Sequence, residues 1–98
     1  VSFQVFNEKD EFKKQLEDWV FECTKIEKTV GDFPDFYVIV IGEKTDGLAI
    51  TNLDRPSIVV VFKNEQQFKK VLKHELIHLV QHSKGYANED EAYRKNGE

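Results

Sequence analysis

The chain has 98 residues, 40% of them hydrophobic and 33% charged. That length allows one domain with one small core, and that balance suits a folded globular protein rather than a disordered one. Its formal net charge of −4 at pH 7 argues against nucleic-acid binding, which needs a basic face to displace counterions.

The whole of 1–98 reads as a single domain, because no repeat, low-complexity tract or linker interrupts it. A lone Cys23 excludes an internal disulfide and fits a reducing, cytoplasmic setting. The opening residues VSFQVFNEKDEF lack the positive and apolar regions of a secretory leader. The longest apolar runs, FYVIVI and IVVVF, are too short to span a bilayer, so no membrane insertion is expected.

VSFQVF alternates enough to predict a short strand. Asn7-Glu8-Lys9-Asp10 follows as an expected helix N-cap with an acidic first turn. Phe12, Leu16, Trp19, Val20, Cys23 and Ile26 recur at helical spacing, which predicts one amphipathic helix over 8–28, ended by Gly31 and Pro34. Phe36 to Ile41 is a continuous β-branched and aromatic run, expected as a strand buried on both faces. Asp46-Gly47 predicts a hairpin turn into a strand at Leu48-Ala49-Ile50-Thr51. Asp54-Arg55-Pro56 breaks the chain, and Ser57 to Phe62 predicts another buried strand. Asn64-Glu65-Gln66-Gln67 is a capping box opening a helix that should run to about His82 and stop at Gly85. Asn88-Glu89-Asp90-Glu91 is a second capping box, opening a short helix towards Lys95. The order predicts an α+β domain: helices on a sheet of three strands, or four if VSFQVF joins it.

All three histidines fall in KHELIHLVQH, at His74, His78 and His82. Residues four apart on a helix stack on one face, roughly 6 Å apart along the axis, so His74 and His78 can close on one metal ion. Two imidazoles one turn apart are a common half of a tetrahedral zinc site. Glu75 lies where HExxH places a general base for water rather than a ligand. Phe68, Leu72, Leu76, Leu79 and Val80 supply an apolar opposite face. His82 is one turn too far to join the same tetrahedron. The plainer alternative is a histidine-bearing helix face on a non-catalytic zinc-binding or protein-interaction module.

A catalytic zinc needs a third protein ligand and an open position. In HExxHxxGxxH the glycine slot would be Gln81 and the last histidine slot Lys84, so that route fails. A glutamate from the following helix is the other route, with Glu89 and Glu91 available. If Asn88 is the N-cap, Glu91 is engaged with the cap backbone and Glu89 is free to face the ion, although a shifted cap would exchange them.

HELIH followed by Asn88-Glu89-Asp90-Glu91-Ala92 resembles the gluzincin metallopeptidases, whose pattern is HExxH plus a downstream glutamate, often Glu-x-x-Ala preceded by asparagine. In size and element order the chain looks most like the minigluzincins, small soluble archaeal proteins that resemble the catalytic cores of integral-membrane metallopeptidases. The resemblance implies one Zn²⁺ bound by His74, His78 and Glu89, with Glu75 as catalytic base and a peptide or unfolded protein as substrate.

Gluzincins often carry Asp four residues after the glutamate to orient a ligand histidine; Tyr93 stands there, so that support must come from elsewhere. Tyr86, Tyr93, His82 and Arg94 are the residues near enough in sequence to stabilise an oxyanion. Minigluzincins also resemble zymogens. The tail Arg94-Lys95-Asn96-Gly97-Glu98 is therefore expected to block a catalytic cleft. About five residues reach at most roughly 17 Å, so a neighbour's cleft is favoured, giving a homodimer. The substrate is expected to add as a strand along the edge formed by Leu48–Thr51.

Overall fold

The computed structural model describes residues 2–7, 12–40, 47–50, 56–60 and 64–97, with the backbone alone at 47–50. Strand β1 (Phe3–Asn7) is followed by α1 (Lys13–Cys23), a 3-10 turn (Thr24–Ile26) and α2 (Glu27–Val30). Then come β2 (Phe36–Val40), β3 (Gly47–Ile50), β4 (Ser57–Val60), α3 (Glu65–Ser83) and α4 (Glu89–Lys95). The fold is α+β, and VSFQVF does contribute a strand, making a four-stranded sheet of order β1-β2-β4-β3.

Pairing departs from the sequence expectation. β1, β2 and β4 run parallel, and β3 pairs antiparallel with β4 rather than forming a hairpin with β2. Parallel neighbours need a long crossover, and α1 with α2 supplies it between β1 and β2. The hairpin is thus β3–β4. Asp46, expected in a turn before β3, lies outside the described residues, as do Ile41, Thr51, Asp54, Arg55 and Phe62. β3 is an edge strand, as its sequence predicts.

Among the described residues the sheet buries one face more completely than the other, although Ser57 on the second face is buried too. Val5, Phe36, Val38, Val40, Ile58 and Val60 are buried, and the register places Val5, Val38 and Ile58 side by side. Their alternates Tyr37, Ile39 and Val59 are half-buried and Phe6 is 49% exposed. Residues one apart on a strand point to opposite faces, and the face of Val5, Val38 and Ile58 is the one that enters the core. The continuous apolar runs therefore overstate burial.

The first helix also starts later than its pattern suggests. Asn7 ends β1, paired with Val40, and α1 begins at Lys13 behind Phe12 with no acidic residue in its first turn. Glu8, Lys9 and Asp10 lie outside the described residues. Leu16, Val20 and Cys23 are buried as the spacing predicts, whereas Phe12 is 44% exposed. The helical run tightens at Thr24, whose hydroxyl donates to the Phe21 carbonyl at 2.5 Å, a local bond that competes with regular helix geometry. It ends at Gly31, whose φ of +114° favours glycine. A Cβ there would stand 3.2 Å from Val80 Cγ1.

α3 packs against β3 and β4, and α1 against β1 and α3. Phe68, Leu72 and Leu76 are fully buried, with Ile77, Leu79 and Val80 nearly so. Burying each such side chain contributes about 1.5–3 kcal/mol. The Trp19 and Phe68 rings meet at 5.3 Å, joining α1 to α3. Among the described residues, no helix is long and apolar enough to cross a membrane.

Candidate metal centre

α3 starts where its cap dictates: Asn64 is the N-cap, and its side chain accepts from the Gln67 N–H at 2.9 Å. From there 19 residues of unbroken helix carry core on one side and histidines on another. The helix ends in a Schellman arrangement. Gly85, at φ +85°, donates to the His82 carbonyl, and the Tyr86 N–H reaches back to the Gln81 carbonyl. That reversal lays α4 antiparallel along α3. Asn88 meets Gln81 at one end, and the Asn96 amide donates to the Lys70 carbonyl at 3.0 Å at the other.

The reversal brings His74, His78 and Glu89 together. Their donor atoms lie within 4.8 Å of one another and form a group that can hold a metal ion. His74 Nε2 is 3.2 Å from His78 Nε2; Glu89 Oε1 is 2.5 Å from His74 Nε2, and Glu89 Oε2 is 3.1 Å from His78 Nε2. Bonds of about 2.0–2.1 Å in a tetrahedron put donors roughly 3.3–3.4 Å apart. Two separations come close to that and the third is tighter, so the donor set fits with a small outward movement of Glu89. The imidazoles are largely enclosed, at 12% and 13% side-chain exposure, while Glu89 keeps 57%. Burial pushes the Glu89 carboxyl up, but the His74 hydrogen bond and the charges of both imidazoles outweigh it and hold the group below its ordinary value.

Glu75 is buried at 9% exposure, beside His74 in the chain, and its carboxylate is not one of the three converging donors. His82 is exposed and outside the group, as its extra turn predicts. The Tyr93 ring packs on the His74 ring at 4.7 Å. Arg94 is exposed. The Tyr86 hydroxyl donates to Glu91 at 2.7 Å, and is engaged there.

Glu91 is indeed the occupied carboxylate, but its partners differ from those expected of a capping box. Asn88 caps α4 by accepting from the Glu91 N–H at 3.0 Å. The Glu91 carboxylate instead accepts from Tyr86, from Gln81 Nε2 at 3.3 Å and from Lys95 at 3.4 Å. The Asn88 N–H, free to bond elsewhere, donates to Gln81 Oε1 at 3.0 Å. Hydrogen bonds with Tyr86 and then Gln81 hold the Glu91 carboxyl below its ordinary value.

Gln81 is the residue that motif reasoning passes over. It occupies the slot where a longer zinc motif has glycine, yet it is 1% exposed and lies 2.9 Å from His78 Nδ1. The available signal was its spacing: three residues after His78, it shares that face of the helix. Comparison of the chain with protein-family models, curated proteins and solved structures gives no match.

Proposed function

We propose that this domain is a zinc-dependent metallopeptidase of the gluzincin type, closest in plan to the minigluzincins. One observation carries the reading: two imidazole nitrogens and a carboxylate converge from adjacent helices while a buried Glu75 follows the first of them. Imidazole nitrogen with carboxylate oxygen is a donor set that suits zinc. His74, His78 and Glu89 would hold the ion. When bound, zinc supplies Lewis acidity and lowers the pKa of a coordinated water towards about 7. Glu75 takes a proton from the attacking water on its carboxylate and returns it to the leaving amine. The peptide lies along β3, an edge strand that packs against the helix bearing the site, and adds to the sheet through backbone hydrogen bonds.

The reading includes a cytoplasmic setting and a resting form in which the tail of one copy blocks the catalytic cleft of its neighbour. Asn96 is held at Lys70, about one turn before His74, so the chain leaves α4 on the side of the site. Glu98 lies outside the described residues.

Glu75→Gln tests the assignment. The full chain should retain about one zinc per molecule while hydrolysis of an unfolded protein falls by orders of magnitude. Loss of zinc together with activity would make Glu75 a ligand or a structural anchor. Zinc binding without turnover, in both intact and tail-shortened chains, would leave the non-catalytic zinc module instead.

A further inference from the structure

We infer that Gln81 is a positioning residue for this site, one side chain that sets the tautomer of His78 and seats the helix bearing Glu89; the inference rests on the metal-binding reading. The Asn88 backbone N–H can only donate and its carbonyl can only accept. The N–H meets one end of the Gln81 amide at 3.0 Å and the carbonyl meets the other at 2.9 Å. This double pairing requires oxygen at the end of Gln81 that faces the N–H and nitrogen at the end that faces the carbonyl.

That same oxygen lies 2.9 Å from His78 Nδ1. An acceptor there requires a hydrogen on Nδ1, so in the neutral imidazole the lone pair is on Nε2. Nε2 is the atom turned towards His74 Nε2 at 3.2 Å and Glu89 Oε2 at 3.1 Å. A lone pair facing a carboxylate oxygen at that range is repulsive unless a metal ion or a proton lies between them. Gln81 thereby presents His78 in the form that binds metal rather than the form that donates a hydrogen bond.

The second effect is on Glu89. Asn88 is the N-cap of α4 and Glu89 the residue after it, so pinning both backbone groups of Asn88 fixes where the carboxylate starts. Gln81 also donates to Glu91 at 3.3 Å, which adds a third hold on the same helix. A carboxylate behind the imidazole, a common support in metal sites, would accept from His78 but could not donate to the Asn88 carbonyl. The amide does both.

The test uses the full chain, Gln81→Leu and Gln81→Glu. Long-range nitrogen–proton NMR of the metal-free proteins, with the imidazoles neutral, reads the His78 tautomer. Competition with a chromophoric chelator reads affinity for Zn²⁺ itself. The wild type should show His78 protonated on Nδ1. Gln81→Glu should keep that tautomer, and Gln81→Leu should admit the Nε2–H form and bind Zn²⁺ about 10–100-fold more weakly. A wild type with His78 protonated on Nε2 would overturn the inference without any substitution. So would Gln81→Leu with unchanged tautomer and affinity, or Gln81→Glu with the tautomer lost. If Gln81→Leu does not fold, the wild-type and Gln81→Glu spectra decide the matter. A wild type that holds the Nδ1–H tautomer but binds no Zn²⁺ overturns the metal reading, while Gln81's hold on His78 stands.

Discussion

Adding Zn²⁺ to the metal-free protein should raise its melting temperature. A ligand that binds only the folded chain stabilises it by RT ln(1 + [L]/Kd), about 2.7 kcal/mol at roughly a hundredfold excess over Kd. For 98 residues, an unfolding entropy of about 2.1 cal/mol/K per residue sums to roughly 0.2 kcal/mol/K near about 60 °C. The ratio is a rise of about 13 °C. His74→Ala removes the nitrogen 3.2 Å from His78 Nε2 and 2.5 Å from Glu89, leaving one imidazole and one exposed carboxylate. Most of the shift should vanish. Calorimetry with and without Zn²⁺ on each variant isolates the metal effect, because the variant's own stability cancels in the difference. His82→Ala is the control: same helix, same residue type, outside the donor triangle, and the full shift is expected. A His74→Ala, His78→Ala double variant that keeps the wild-type shift, or a His82→Ala variant that loses it, would rule out this donor triangle as the zinc site.

Leu76→Ala, at a position with 0% exposure between the histidine pair, should cost about 2–5 kcal/mol by urea denaturation. A cost below about 1 kcal/mol would mean that α3 is not seated on the core as described. Tyr86→Phe removes the leading cause of the lowered Glu91 pKa. A depressed carboxyl stabilises the fold above its unfolded value, of about 4.3, and that contribution is lost as pH falls through the lower folded value. The urea midpoint gap between wild type and Tyr86→Phe should therefore narrow between about pH 6 and about pH 3; a gap that widens on acidification would contradict the Tyr86–Glu91 bond.

What could be read from the sequence was local. Asn64, the apolar spacing from Phe68 to Val80 and Gly85 define α3 within one or two residues, because caps and helical periodicity act over a single turn. The approach of Glu89 to the histidines was legible too, through the logic that something must occupy Glu91, although Tyr86, Gln81 and Lys95 do so rather than the Asn88 N–H. Partner choice was not legible. Nothing within Phe36–Val40 states that its neighbours are β1 and β4 and that β3 lies beyond, because strand pairing is decided by crossovers and by what the helices cover. The same limit hid Gln81: a polar side chain in a buried place is explained only by groups that arrive from elsewhere, here the backbone of Asn88.

The antiparallel pairing of α3 with α4 has a consequence for how this chain reaches its folded state. His78 and Glu89 are 11 residues apart and His74 and Glu89 are 15 apart, whereas Ser2 and Asp35, bonded where β1 meets β2, are separated by 33. Closing a loop costs entropy that grows with its length. The helical hairpin is thus a cheaper contact to close than the parallel pairing of β1 with β2. A cation seized by the hairpin would act as a clasp on the growing chain, formed before the sheet has found its order. Metal present during refolding should then accelerate it, a kinetic benefit separate from any gain in final stability, and one seen only if the ion is supplied before the denaturant is diluted.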